Sequence, residues 1–455
     1  MTLKAFPERP AISASAGASG STGAGKSPVS AIGLRRALTA AEEAAFLWVS
    51  RRVVARSSAV TLEMLARTDA RLSRLVYKLS ERPALAEPLF QHDHAAFKHG
   101  LTFVTAIVAL RGGVFEVFDR LLARLESEVE SLTPLASALT WLEYREVRRH
   151  IERLLEAKSP ALQQLGLMAA VAHRADPRGA LDRALAGDYP ALRASAFEAV
   201  GRLAMKDRLP RLHAALLDPE STCRFWAAWS AVRLGERDGI PVLGRFAAEC
   251  GAFAIPACDI ALRALDADQA VRTHTRLLSI TGDERLALVA AGIIGDPVLA
   301  NHLLDAMESP RFARRAGAAF CLMAGCDLRR DDLDAQRPLG ETASEVASAD
   351  PSTVDGVGRQ GTANVESDSL ADEADDALPW PDTERLRQWW DANLHAFVPG
   401  VRYLGGMPMR REALANLLRA GNQHQRSAAA LELALLNPDM PLLDVTAPAH
   451  RQVVT

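Results

Sequence analysis

Residues Gly20 to Ser27, GSTGAGKS, match the phosphate-binding loop pattern G-x-x-x-x-G-K-[ST] at every fixed position. In proteins that use such a loop, backbone N–H groups and the lysine hold nucleotide phosphates, and the serine or threonine hydroxyl binds magnesium. Lys26 and Ser27 occupy those positions here. Read alone, the string indicates ATP-dependent chemistry.

The residues around this string argue against a working loop. A buried strand must deliver the loop and a helix must receive it, but the preceding residues, AISASAGAS, contain no run of branched apolar residues. Pro28 follows at once, and no later apolar strand ending in aspartate offers a second magnesium ligand. Because Gly- and Ser-rich tracts produce this pattern by chance, we expect no cofactor, and a P-loop nucleotide-binding protein stays an alternative.

The expected result for a Lys26→Ala variant is unchanged ATP affinity and hydrolysis, because a loop without a delivering strand cannot orient its N–H groups on phosphate. Calorimetric titration with ATP and magnesium, together with a phosphate-release assay, measures both quantities. Magnesium-dependent ATP binding that the substitution abolishes would contradict this interpretation.

Histidines and tryptophans form two further candidate sets. His92, His94 and His99 could suggest a metal site, but spacings of two and five do not place three imidazoles on one helix face. Trp226 and Trp229 could stack a nucleobase in a nucleic-acid enzyme, although their helical spacing and aliphatic neighbours favour the core. We therefore expect no metal site and no catalytic residue.

The elements that hold these residues repeat along the chain. From Tyr189 to Leu217, apolar residues follow helical spacing twice, with a short break between the two helices. A shift of about 30 to 32 residues brings small residues into register, a length typical of helical hairpins. The columns so formed are Gly166, Ala196, Ala227 and Cys258, then Ala170, Val200, Ala231 and Leu262, then Leu203, Leu234 and Leu265.

These columns predict close helix–helix packing, since small side chains are needed where one helix crosses two neighbours. An arginine recurs at the surface end of the first helix, as Arg193, Arg224 and, after a less regular repeat, Arg314. The pattern resembles the HEAT family of repeats in its bacterial short form. That resemblance implies an all-α fold, a HEAT-like α-solenoid of helical hairpins, whose usual role is to hold other macromolecules.

Composition agrees with a folded, mostly helical protein. The 455 residues are 49% hydrophobic and 24% charged, with a net charge of −3, which weighs against a nucleic-acid partner. The five cysteines contain no C-x-x-C pair and are typical of a reducing compartment. The longest apolar run, Leu101 to Leu110, is too short to cross a bilayer, so we expect no membrane insertion and a cytoplasmic location.

The chain divides into ordered and unpatterned stretches. Between residues 331 and 378, thirteen carboxylates accompany two arginines and apolar periodicity vanishes, which indicates a disordered acidic insertion. A capping box at Thr39 and Glu42 indicates where structure begins. The predicted segments are a disordered tail (1–37), an N-terminal helical cap (38–132), HEAT-like repeats (133–330), the disordered acidic insertion (331–378), a C-terminal helical segment closing the solenoid (379–446) and a tail (447–455).

A closer resemblance rests on short strings spread over the chain. These are EEAAFLW (Glu42 to Trp48), RRAGAAF (Arg314 to Phe320), WPD (Trp380 to Asp382), GVRYLGG (Gly400 to Gly406) and QRSAAALELAL (Gln425 to Leu435). Together they are similar to a proteobacterial family of uncharacterised HEAT-repeat proteins, often encoded beside the VgrG spike proteins of type VI secretion systems. The resemblance implies a HEAT-repeat architecture and a gene located beside type VI secretion genes. It supplies no mechanism.

These observations favour a non-enzymatic protein–protein interaction scaffold or adaptor, accessory to type VI secretion, with type VI components as partners. A HEAT-like nucleic-acid-binding enzyme is the other alternative. Trp389, Trp390, Arg402 and Tyr403 are residue types that often anchor interfaces, and we predict them as partner-binding residues. Their alternative role is packing of one helix onto the last hairpin, because adjacent tryptophans cannot both face the same surface.

Overall fold

The computed structural model describes residues 30–92, 94–125, 127–336, 375 and 378–452. This part of the chain is mostly α-helical, with a single short antiparallel β-hairpin, so the predicted all-α class is confirmed. The helices are α1 (Ala31–Val54), α2 (Leu62–Ser80), α3 (Ala86–Gln91), α4 (Lys98–Gly112), α5 (Phe115–Leu125), α6 (Leu132–Trp141), α7 (Tyr144–Leu155), α8 (Pro160–Ala172), α9 (Gly179–Ala186), α10 (Pro190–Arg202), α11 (Leu209–Ala215), α12 (Ser221–Arg233), α13 (Ile240–Ala248), α14 (Ala254–Arg263), α15 (Ala267–Thr281), α16 (Glu284–Ile294), α17 (Ala300–Ala306), α18 (Pro310–Ala324), α19 (Thr383–Asn393), α20 (Arg411–Ala420) and α21 (Gln423–Leu436). The strands are β1 (Tyr403–Leu404) and β2 (Met407–Pro408).

The even-numbered helices from α4 to α18 pack side by side in chain order. Each odd-numbered helix from α7 to α17 packs against the even-numbered helix that follows it. Small residues permit the close approach: a Cβ added at Gly201 would lie 2.4 Å from the Oγ of Ser230 on the next helix of the row. The first two predicted columns are buried along their whole length. Helix-to-helix packing therefore accounts for the repeated small residues.

The N-terminal helices surround α4, whose apolar residues are buried among α1, α2, α5 and α6. Helix α1 begins at Ala31, with the Ser30 hydroxyl accepting a bond from the N–H of Gly33. The predicted beginning at Thr39 is therefore wrong, because Thr39 lies inside α1 and its hydroxyl bonds the carbonyl of Arg35. Buried Ala37 explains why the helix extends this far toward the N-terminus.

The boundaries of the predicted acidic insertion also need correction. Residues 331–336 belong to the fold, since Leu333 is buried and its carbonyl accepts from the N–H of Asp382. Asp375 is buried as well, and its carboxylate pairs with Arg285 at 3.1 Å and with Arg315. Residues 337–374, 376 and 377, on which the prediction of disorder mainly rests, lie outside the described residues.

The C-terminal part of the chain packs against the N-terminal helices. Helix α21 packs against α12 and α14, and residues 437–452, which we call the return segment, then run toward α1 and α2. The N–H of Leu442 donates to the carbonyl of Arg202, and the N–H of Ala449 donates to Asp69 on α2. The predicted tail from residue 447 is corrected accordingly, because Gln452 is 1% exposed.

Candidate interaction site

Two of the four predicted partner-binding residues lie in the core. Trp390 packs against Phe320 and Phe397, and Tyr403 packs against Phe397 with a ring-centroid distance of 4.8 Å. The Tyr403 hydroxyl donates to the carbonyl of Ala396 and accepts from the N–H of Val398 at 3.0 Å. Both aromatic side chains are buried, so they stabilise the joint between α18, α19 and the hairpin.

Arg402 is satisfied by the protein itself. Its guanidinium donates to the carbonyls of Ile294 (3.0 Å) and Arg263 (3.1 Å), at the ends of α16 and α14. A third bond, 2.8 Å long, reaches the carboxylate of Glu432 on α21. These contacts give Arg402 a structural role between helix ends, where carbonyl groups lack partners within their own helix.

Trp389 is the most accessible aromatic residue of the predicted set. It is half-buried and meets Phe320 edge-on, with the ring centroids 6.1 Å apart. A partner-anchor role for these residues stays a prediction, and burial restricts it to Trp389. Both adjacent tryptophans contact Phe320, and they differ in burial, since Trp390 is buried and Trp389 is half-buried.

Replacement of Trp389 by alanine should preserve helical circular dichroism while reducing recovery of a co-purifying protein, because half-buried tryptophans at interfaces often anchor them. Trp390→Ala serves as the matched control, since it opens a cavity in the core and should lower the melting temperature far more. Pull-down recovery and thermal melting of both variants distinguish the two roles. Unchanged recovery with Trp389→Ala would remove this residue as an anchor.

Arg402 belongs to a buried cluster of ion pairs that forms part of the wall of a cleft. Glu432 pairs with Arg263 at 3.0 Å and with Arg402 at 2.8 Å, and Arg263 also pairs with Asp259 at 2.8 Å. Burial lowers the pKa of Arg263, but the carboxylates of Asp259 and Glu432 outweigh burial and raise it overall. Burial lowers the pKa of Arg402, with Glu432 opposing that shift. The two carboxylates therefore oppose the effect of burial on both guanidinium groups.

The cleft above this cluster has a volume of about 700 Å³. Helix ends and loops from α12 to α15 line one side, and the hairpin and α21 line the other. The lining includes Arg237 and Arg410 as well as Glu236 and Asp266, so charges of both signs are present. Such a lining offers hydrogen-bonding and charged groups of both signs.

Arginines occupy the last position of three successive even-numbered helices, and two of them, Arg233 and Arg263, connect the helix row to the C-terminal part through their side chains. Arg202, Arg233 and Arg263 end α10, α12 and α14. Arg233 is fully buried and donates to the carbonyls of Ala434 (3.0 Å), Pro438 and Met440. Burial lowers the pKa of Arg233 to about 10, which leaves it charged at neutral pH. Sequence reasoning missed this set, although its spacing of about 30 residues follows the repeat.

The arginines that the sequence did single out act locally. Arg193 pairs with Asp218 at 3.0 Å and donates to the carbonyl of Gly187 at 2.8 Å. Arg224 donates to the carbonyls of Asp218 and Pro219. Both guanidinium groups thereby satisfy carbonyls in the loops between hairpins.

The residues proposed for chemistry are separated or packed. Within the described residues, no group of three or more His, Cys, Asp or Glu side chains could hold a metal ion. His92 instead pairs with Glu42 at 2.8 Å. Trp229 is buried, and Trp226 packs against it with centroids 5.5 Å apart. Gly20 to Ser27 lie outside the described residues, so the interpretation of that string stays a prediction.

The fold and the cleft define a mostly helical protein in which buried arginines tie helix ends to the C-terminal part. Comparison with protein-family models, with curated proteins and with solved structures finds no match. Among the described helices, none has the length and apolar character needed to cross a membrane.

Proposed function

We propose that this protein is a non-enzymatic interaction scaffold or adaptor, built as a HEAT-like α-solenoid and accessory to type VI secretion. The side-by-side packing of the even-numbered helices from α4 to α18 is the observation that carries the proposal. Repeat proteins use such rows to present an extended surface to a macromolecular partner. The resemblance to proteins encoded beside VgrG supports a type VI component as that partner.

The face formed by α9, α11 and α13 is where we place the partner. It carries exposed residues of both signs, among them Asp182, Arg183, Arg211 and Arg245. Asp182 pairs at 2.8 Å with Arg208, in the turn that precedes α11. Hydrogen bonds of the return segment join it to α1, α2, α6, α8, α10, α12 and α21, and among the described residues none joins it to these four side chains. A protein surface of mixed charge complements this face better than a phosphate backbone does.

Affinity purification from the native bacterium, followed by mass spectrometry, tests the proposal. We expect a VgrG spike protein or another type VI component to co-elute with the wild-type chain. Reversing three charges on the proposed face, by Arg183→Glu, Arg211→Glu and Arg245→Glu, should abolish that recovery, because each change creates a like-charge contact with acidic partner residues.

A matched control reverses three exposed arginines of α2, Arg67, Arg71 and Arg74, which lie outside the proposed face. This control should retain recovery of the type VI component. The proposal fails if no type VI component is enriched, or if both triple variants recover it equally. Recovery of nucleic acid in place of protein would support the nucleic-acid alternative.

A further inference from the structure

Two of the five cysteines contact each other at the end of α18. The sulfur atoms of Cys321 and Cys326 are 3.4 Å apart and share a hydrogen bond in which either thiol can donate. All five cysteines of the chain are free thiols, so this pair is a dithiol. The sulfur atoms of a disulfide are about 2.05 Å apart, so a movement of about 1.4 Å would bring this pair to bonding distance.

The way α18 ends brings the two thiols together. Gly325 follows the last residue of the helix and has a left-handed backbone conformation, with φ at +81°. Its N–H donates to the carbonyl of Cys321 at 2.9 Å, the hydrogen bond that closes a helix of this kind. The residue after the left-handed position then commonly contacts a side chain in the last turn of the helix. Cys326 and Cys321 occupy those two positions.

The β-hairpin fixes this helix end from the other side. A Cβ added at Gly325 would lie 2.4 Å from the carbonyl carbon of Gly405, so only glycine fits here. The N–H groups of Gly405 and Gly406 donate to the carbonyls of Leu322 (2.7 Å) and Met323 (2.9 Å), in the last turn of α18. Because tertiary contacts hold this backbone, each thiol has the other as its nearest reaction partner.

The two cysteines differ in exposure. Cys326 is 6% exposed, whereas Cys321 is partly exposed, and a peroxide, which is little larger than water, needs only a small opening. The pKa of the Cys321 thiol is raised well above its ordinary value, chiefly by the hydrogen bond with Cys326 and by burial. The thiol is therefore protonated at neutral pH, so the dithiol is the resting form and its oxidation requires excess peroxide.

We propose that Cys321 and Cys326 form a site of reversible oxidation, at which a peroxide converts the dithiol to an intramolecular disulfide. With hydrogen peroxide, the sulfur of Cys321 attacks one oxygen and the O–O bond breaks, giving a sulfenic acid and water. The sulfur of Cys326 then attacks the sulfenic sulfur, the S–S bond forms, and the hydroxyl group leaves as water with the proton of Cys326. The two thiols lose two electrons, which the peroxide gains, and a thiol reductant reverses the reaction.

The disulfide would join α18 to the segment that follows it. In that segment the N–H of Leu333 donates to the carbonyl of Leu328 at 2.7 Å, and the carbonyl of Leu333 accepts from the N–H of Asp382 at 2.8 Å. The bond would close a loop of six residues, from 321 to 326, and so short a loop constrains the unfolded chain only slightly. We therefore expect a small change in melting temperature. This inference is independent of the partner proposed for the face formed by α9, α11 and α13.

Peptide mass spectrometry of the full chain after treatment with hydrogen peroxide tests the site. Trypsin cuts after Arg315 and Arg329, so both cysteines fall in one peptide, residues 316–329. After oxidation of the folded chain, free thiols are alkylated under denaturing conditions. We expect this peptide to be lighter by two hydrogen atoms, to carry no alkyl group, and to accept two after dithiothreitol. Cys223, which is buried and donates to the carbonyl of Pro190, should stay alkylated.

Three variants provide the controls. Cys326→Ser should abolish the protection of Cys321 that dithiothreitol reverses, and Cys321→Ser should leave Cys326 open to alkylation, because each removes one of the two sulfur atoms. Cys250→Ser should leave the disulfide unchanged, since Cys250 is exposed and its thiol contacts the carbonyls of Ala247 and Ala248. Thermal melting establishes that each variant is folded.

Three results would overturn the inference. In the first, peptide 316–329 keeps both alkylation sites at a peroxide concentration that oxidises Cys250. In the second, Cys321 stays reversibly protected in Cys326→Ser, which would assign it another partner. In the third, the disulfide lowers the melting temperature by more than about 5 °C, since a bond that the native backbone cannot accommodate stores strain.

Discussion

A chain that ends at Asn437 should fail to form the native fold or should melt far below the full-length protein. The deletion removes the acceptors that Arg233 finds at Pro438 and Met440, and those that Arg51 finds at Thr446 and Ala447. Hydrogen bonds to charged groups contribute about 1.5–3 kcal/mol each, so their combined loss is on the order of 5 kcal/mol or more. That loss is comparable to the total stability of a typical folded protein.

A chain that ends at Gln452 is the matched control for this deletion, since it keeps every described residue of the return segment. Circular dichroism melting and solubility of the two truncated chains provide the measurement. If the shorter chain melts within a few degrees of the control, the return segment does not stabilise the closure.

Glu432→Ala is expected to destabilise the protein by about 3–5 kcal/mol, because it leaves two buried guanidinium groups with one fewer carboxylate. Arg263 and Glu432 are both nearly fully buried, and water cannot replace the lost partner without opening the site. Chemical denaturation followed by circular dichroism measures the free energy of unfolding.

Two controls separate this effect from the loss of an ordinary ion pair. Glu63→Ala removes a carboxylate whose partner, Arg67, is exposed at the surface, and the change in stability should be small. Replacing Arg402 and Glu432 together by methionine should cost less than Glu432→Ala alone, since Arg263 keeps Asp259. A double variant that is less stable than Glu432→Ala would contradict the explanation that Glu432→Ala destabilises the protein by leaving a buried guanidinium group without its carboxylate.

Local patterns in the sequence predict much of the fold. Apolar spacing between Tyr189 and Leu217 predicts two helices with a short break, and the structure forms α10 and α11 there. Both predictions rest on apolar spacing and on residues that begin or end helices, which act over a few positions along the chain. The start of α1 differs from its prediction because residues 31–38 follow a Gly- and Ser-rich stretch, although Ala37 packs in the core.

The candidate sites are much less predictable. The sequence predicts Trp390 and Tyr403 as partner-binding residues, but whether an aromatic residue anchors a partner or fills the core depends on what packs against it. Cys321 and Cys326 are close in the sequence, but only the left-handed backbone of Gly325, against which the hairpin packs, shows that their sulfur atoms meet. The cleft beside Arg402 is likewise lined by segments that meet only after folding.

Local sequence is sufficient to predict the helical class, the two helices between Tyr189 and Leu217 and the small residues at helix crossings, since each depends on neighbours within a few turns. The closure of the chain on itself follows only from packing between distant segments. The bonds that show this closure join Arg51 to Ala447 and Arg233 to Met440, with separations of 396 and 207 residues. An arginine that ends a helix has the same local pattern whether solvent or a distant carbonyl accepts its hydrogen bonds, so its role depends on the packing of the whole chain.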